Sequence, residues 1–182
     1  MRQIEIREPV PGDEEPLEDL ITAHFSEGAS YGVDLSISDP TRHVRVAVDD
    51  EEVLGAMGVN CLDDAAAVAE EMYFFDDPEG IPPADRYGLL EMGYVREDAT
   101  GQGLGSRLLE TVERIGRECD VDSFVVDSWY HGGPDSPQKL LVPNGYETVR
   151  TTPIERPAAE CPKCEVECTC EGAMGVRPVD GD

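Results

Sequence analysis

The chain has 182 residues, in which 40 acidic side chains face 14 basic ones, a formal charge of −26. That balance excludes a nucleic-acid-binding module, which needs a basic patch, and no apolar run is long enough for a membrane helix. Hydrophobic residues make up 40% of the chain, enough for a folded core rather than an acidic disordered segment.

Taken in order, Ile4, Ile6 and Pro9 alternate as a first strand. Pro11-Gly12-Asp13 then opens an amphipathic helix with Leu17, Leu20, Ile21 and Phe25 on one face. Residues 26–42 read as loop and a short helix. A hairpin follows, with strands at His43–Val48 and Val53–Val59 and an acidic turn between them. Residues 61–86 read as an insertion: Ala65 to Tyr73 has helical character, and Asp76 to Gly80 and Pro82-Pro83 are loop. Leu89 to Val95 is a strand that runs into glycines 101, 103 and 105, after which Leu104, Leu108, Leu109, Val112 and Ile115 share one helix face. Phe124 to Trp129 is another strand, Ser136-Pro137 caps a short helix ending near Pro143, and Tyr146 to Arg150 is the last strand expected.

The strand–glycine loop–helix passage carries the chemistry. Glycines let a backbone approach a ligand closely, and successive N–H groups at a helix start make a site for a pyrophosphate. A nucleotide P-loop is excluded because no Lys-Ser/Thr pair follows the last glycine. A dinucleotide fingerprint is excluded because position 106 is serine, and the loop lies far from the N-terminus.

Thr100-Gly101-Gln102-Gly103-Leu104-Gly105 resembles the coenzyme A signature of the GNAT family of N-acetyltransferases. The hairpin resembles that family's second and third strands, and Leu140 to Glu147, with Gly145-Tyr146, resembles its later motif. The resemblance covers about residues 3–150 in the family's order. It implies an α+β fold: a mixed, twisted sheet with helices on both faces, splayed where acetyl-CoA enters. It also implies transfer of an acetyl group to an amine by direct attack, with Tyr94, Val95, Thr100, Gly101, Gln102, Gly103, Leu104, Gly105 and Ser106 around the coenzyme. Backbone N–H groups near residues 93–95 would polarise the thioester.

The sequence departs from the family at Thr100, where Arg or Gln is usual. It departs again at Pro134, often Asn, and at Leu141, where the family often places the tyrosine that protonates the leaving thiolate. Glu91 is the candidate base, and Tyr130 the replacement acid. His131 stays open between base, ligand and neither role. Trp129 reads as core or pocket wall, and His24 and His43 as structural. The alternative to an enzyme is a non-catalytic acyl-CoA sensor with a metal- or redox-responsive tail.

Cys61 and Cys119 stand alone in apolar stretches and read as core thiols. Cys161, Cys164, Cys168 and Cys170 crowd together and read as one metal site. Structural zinc leads, with an iron–sulfur cluster or Cu(I) as alternatives. The expected division is an acyltransferase domain over 1–152 and a cysteine-rich tail over 153–182, its metal outside the acyl-transfer centre. Only Lys139 and Lys163 are lysine, and the acids are dispersed, which resembles proteins of salt-in halophiles. The opening residues lack an apolar signal core, so a cytoplasmic protein is expected, its assembly left open between monomer and homodimer.

Overall fold

The computed structural model describes residues 3–25, 39–50, 52–133, 135–155, 157–161, 163–164 and 166–180. The expected loop and short helix over 26–42 therefore lie mostly outside the described residues. So do the side chains of His24 and Phe25.

Strand β1 (Glu5–Arg7) turns into helix α1 (Glu14–Phe25) through a buried carboxylate. Asp13 accepts the Val10 N–H at 2.7 Å and pairs with Arg7 at 2.7 Å. The hydrogen bond from Arg7 holds the Asp13 carboxyl below its usual range, against the opposing effect of burial. The hairpin is β2 (Arg42–Asp49) and β3 (Glu52–Leu62), closed where Asp49 faces Glu52. Asp50 takes a left-handed φ of 46°, one of the few backbone states a short polar side chain tolerates well.

The stretch read as an insertion is part of the fold. Asp64 caps helix α2 (Ala65–Glu71) by accepting the Ala67 N–H at 2.8 Å. Val68 and Ala69 then pack with Met72, Phe75 and Ile81 over one face of the sheet. Strand β4 (Tyr87–Val95) leads to helix α3 (Leu104–Glu118), whose expected apolar stripe is buried on the other face. Helix α1 covers the hairpin through Leu17, with Leu20 packed against the same cluster. Strand β5 (Ser123–Tyr130), the short helix α4 (Gln138–Leu141) and strand β6 (Glu147–Pro153) follow.

Among the described residues the sheet has seven strands, in the order β1-β2-β3-β4-β5-β7-β6. Its pairs are antiparallel except β4–β5. Strand β7 (Glu171–Pro178) corrects the expected boundary at residue 152, because it inserts between β5 and β6. Every residue of β5 from Ser123 to Tyr130 has a β7 partner. Met174 and Ala173 are fully buried. The segment after 152 thus completes the core, and β6 is not the last strand. Arg177 of β7 also donates to the buried Glu113 of α3 at 2.7 and 2.8 Å, beside the Tyr146 hydroxyl at 2.8 Å. That network ties β7, α3 and the start of β6 together.

Candidate active site

The parallel strands β4 and β5 pair only from Tyr87 with Ser123 to Leu90 with Val126. Beyond that point they part. On its other side β4 carries a bulge, since Ala56 faces Tyr94 while Gly58 faces Glu91. The extra residue bends β4 away from β5. The resulting gap is a cleft of about 530 Å³, within the range of small-ligand sites. Its walls are the outer halves of β4 and β5, the glycine loop, the start of α3, and α4 with the segment before it.

The glycine loop meets the requirement for close approach. Gly101 (φ 72°) and Gly103 (φ 77°) are left-handed, and a Cβ at either would touch nothing within 4 Å. The space beside them is open, and their conformation disfavours any other residue. Gly103 caps α3, and the first helical N–H with a backbone partner in this turn is that of Arg107, to Gly103 at 3.1 Å. The amides of Leu104, Gly105 and Ser106 have no such intrahelical acceptor, which is the arrangement an anion uses. Thr100 spends its hydroxyl locally, donating to the Glu97 carbonyl at 2.7 Å. An anion at this loop would therefore meet backbone donors.

Of the expected residues, Glu91, Tyr94, Val95, Thr100, Gly101, Gly103, Leu104, Gly105 and Ser106 all line this one cleft. Gln102 does not line it; its amide donates to the Asp98 carbonyl at 3.3 Å. Tyr130 does not line it either, which corrects its expected place. Alternation along β5 turns it to the α3 face, where it is buried and its hydroxyl lies 3.2 Å from Thr148 Oγ1. Leu141 is buried and apolar in the cleft wall, and Pro134 lies outside the described residues.

Glu91 and Asp127 are the first residues after the last β4–β5 pair, so a carboxylate stands on each strand where the gap opens. Both point to the α2 side of the sheet, as Leu89 and Val125 do two residues earlier. Burial pushes the Glu91 carboxyl up, and the Arg42 guanidinium, 2.8 Å away, partly offsets it. Burial also pushes Asp127 up, against the Tyr73 and Phe74 N–H groups that donate to its Oδ2. Its Oδ1 is buried and accepts no hydrogen bond from the protein. Asp127 was missed in the sequence because a lone acid in an apolar strand gives no signal in so acidic a chain.

His131 lines the cleft just past β5. Its Nδ1 accepts the Gly133 N–H at 3.0 Å, which assigns the ring proton to Nε2, 3.7 Å from Asp135. Burial lowers its pKa, which favours the neutral ring. With Nδ1 already occupied, it has no free nitrogen lone pair to act as a base.

The four clustered cysteines lie near this wall, which corrects the expectation of a remote tail. Their sulfurs all fall within 4.8 Å of one another. The Cys161–Cys170 distance is 3.7 Å and the Cys164–Cys170 distance 3.5 Å. The Trp129 indole, part of the cleft lining, lies beside Cys170. Cys61 and Cys119 do not stand alone: with His43 they form a second group, Cys119 Sγ lying 3.6 Å from His43 Nε2. Burial pushes the Cys61 thiol up to about 12, so it stays protonated and unreactive.

The acetyltransferase (GNAT) family model matches residues 1–131. A search of curated proteins returns no match. A GCN5-related N-acetyltransferase from Kribbella flavida superposes with a TM-score of 0.66 at 16% identity, over 97% of this chain and 98% of that one. Arabidopsis thaliana NAA60, solved with a bisubstrate analogue, gives 0.67 at 16% identity, over 99% and 100%. An aminoglycoside 6'-N-acetyltransferase from Enterococcus faecium gives 0.63 at 14% identity, over 98% of each chain. At these identities the structures speak for the fold, and the family model covers most of the sequence. The chain belongs to the GNAT family of acetyltransferases.

Proposed function

We propose that the protein moves an acetyl group from acetyl-CoA to the nitrogen of a cationic amine by direct attack. The observation that carries this reading is the parting of β4 from β5 beside an open, left-handed glycine loop at the start of α3. The pyrophosphate would rest on the loop and the free amides of α3. The pantetheine arm would then run into the gap along the β4 backbone, and the thioester would reach its apex.

At that apex the amine meets Glu91 and Asp127. Two carboxylates attract an ammonium ion, and one of them must take its proton before nitrogen can attack. Glu91 is the base in this reading, since burial raises its proton affinity toward a useful range. Asp127 Oδ1 is the unoccupied acceptor that orients the nitrogen. Nitrogen attacks the thioester carbon, and the developing oxyanion is met by backbone N–H groups of β4 near residues 93–95. The carbon–sulfur bond breaks as the amide forms. No protein acid is required, because a thiolate, with a conjugate acid near ~8.5, leaves readily. Leu141 in the cleft wall agrees with that.

Steady-state kinetics with both substrates varied test the order of events. Direct attack needs both bound at once and gives intersecting reciprocal plots. Parallel plots would indicate a covalent acetyl-enzyme instead. The buried Leu141 also favours one rival, an acyl-CoA sensor. Acetyl-CoA binding without turnover across a broad amine panel would select it.

A further inference from the structure

Beyond acyl transfer, the crossover between β6 and β7 has the build of a metal clasp. It leaves β6 at Ile154 and returns to β7 at Cys170, and the Ile154 N–H donates to the Cys170 carbonyl at 3.0 Å. The ends of the loop are thus pinned together. Val166, within it, is exposed, so the loop has little apolar burial to hold it. What it has instead is four sulfurs, with Cys161 and Cys170 buried.

The sulfur spacing fits a tetrahedral thiolate-bound metal. Zinc–thiolate bonds of about 2.3 Å in a tetrahedron put the sulfurs about 3.8 Å apart. The distances of 3.5 and 3.7 Å match that edge, and a disulfide would need about 2.0 Å. Four thiolates fill the tetrahedron and leave no open position, so the ion would be structural.

The clasp touches the cleft at two points. Cys170 lies beside Trp129, whose ring lies 5.6 Å from the His131 ring, edge to face. Lys163, between two of the cysteines, donates to Asp135 at 2.7 Å, and Asp135 faces His131. Trp129, His131 and Asp135 all line the cleft.

We propose that Cys161, Cys164, Cys168 and Cys170 bind one zinc ion that clamps the β6–β7 crossover and thereby holds the Trp129–His131 wall of the cleft in place. Losing the ion would free Cys170 and Lys163 together and let that wall relax. Only the consequence for turnover rests on the acyltransferase reading. Metal content and the emission of Trp129, the sole tryptophan, are read without substrate.

The test uses the full chain, purified without added metal. Elemental analysis should give about one zinc per chain, as a closed four-cysteine site implies. An organomercurial should release the zinc to a metallochromic indicator, and Trp129 emission should change in step with release. Cys164→Ser and Cys168→Ser should each lower zinc content; should either fail to fold, the release experiment on the unaltered protein still decides. Iron with visible absorbance, or no metal with four freely titrating thiols, would overturn the proposal. Zinc release that leaves Trp129 emission unchanged would overturn the link to the cleft.

Discussion

Replacing Gly103 separates the glycine loop's structural role from its role toward the coenzyme. A Cβ there meets nothing within 4 Å, so the cost to the fold is conformational, not steric. Holding an L-residue at φ 77° costs about 1–2 kcal/mol, or about 2–8 °C of melting temperature for a domain of this size. Gly103→Ala should show that loss, and its acetyl-CoA affinity should fall modestly. Gly103→Glu carries the same backbone cost and adds a carboxylate beside the pyrophosphate. Two unit charges about 5 Å apart repel by about 3 kcal/mol at an effective dielectric near 20, on the order of 100-fold in affinity. Calorimetric titration of both variants, alongside thermal melts, measures the two effects independently. A Gly103→Glu protein that folds and binds acetyl-CoA like the unaltered one would remove this loop from the coenzyme site.

Glu91→Gln should lower turnover by about 100- to 10,000-fold, the range for a general base, with acetyl-CoA affinity unchanged. Because burial raises the Glu91 carboxyl, the unaltered enzyme should gain activity with rising pH through a limb above the ordinary carboxylate range. A Gln variant that keeps both rate and limb would return Glu91 to an ion-pair partner of Arg42. The same raised value makes ionised Glu91 a cost to the fold, so its contribution to stability falls as pH rises from the ordinary carboxylate value through the raised one. Asp127→Asn should leave the melting temperature nearly unchanged, since its side-chain oxygen can still accept from Tyr73 and Phe74, yet raise the KM for the amine; an unchanged KM would make Asp127 a loop clamp only. Ending the chain at Thr152 deletes β7 and the burial of Met174 and Val176, about 3–6 kcal/mol in those two side chains alone. That is comparable with a typical total stability, so the fragment should fail to fold cooperatively, and a fragment that binds acetyl-CoA normally would refute the role given to β7. Thermal melts should rise from dilute buffer into molar KCl, where the Debye length shrinks to about 3 Å and the repulsion of a −26 chain is screened; equal or lower melting in salt would refute a halophilic surface.

The elements that could be read from the sequence were those with a period. The stripe of α3 repeats at helical spacing and is buried as expected, and the hairpin alternates around an acidic turn. Strand β7 gave no such signal. Its sequence, Glu-Gly-Ala-Met-Gly-Val-Arg-Pro, holds two glycines because neighbours crowd the backbone: a Cβ at Gly172 would lie 2.4 Å from Phe74, and one at Gly175 2.8 Å from Val126. Small residues forced by packing look like a loop when the packing partners are unknown. The glycine loop was readable because its conformation is local, held in one run of backbone. The candidate catalytic side chains were harder, since their facing depends on strand alternation and on where pairing stops. Tyr130 and Trp129 are adjacent, yet only Trp129 faces the cleft. Asp127 becomes notable only once its register places it beside Glu91, where the strands part.

The central claim is that this cleft joins an amine to an acyl group carried by coenzyme A. Its most direct measurement is amine-dependent release of free coenzyme A thiol from acetyl-CoA, followed with a thiol reagent in molar KCl, with Gly103→Glu run in parallel. The reading predicts release only when a suitable cationic amine is present, a product heavier by one acetyl group, and slower release from the variant at a coenzyme concentration below saturation. Equal release with and without amine, or equal rates in the two proteins, would contradict it.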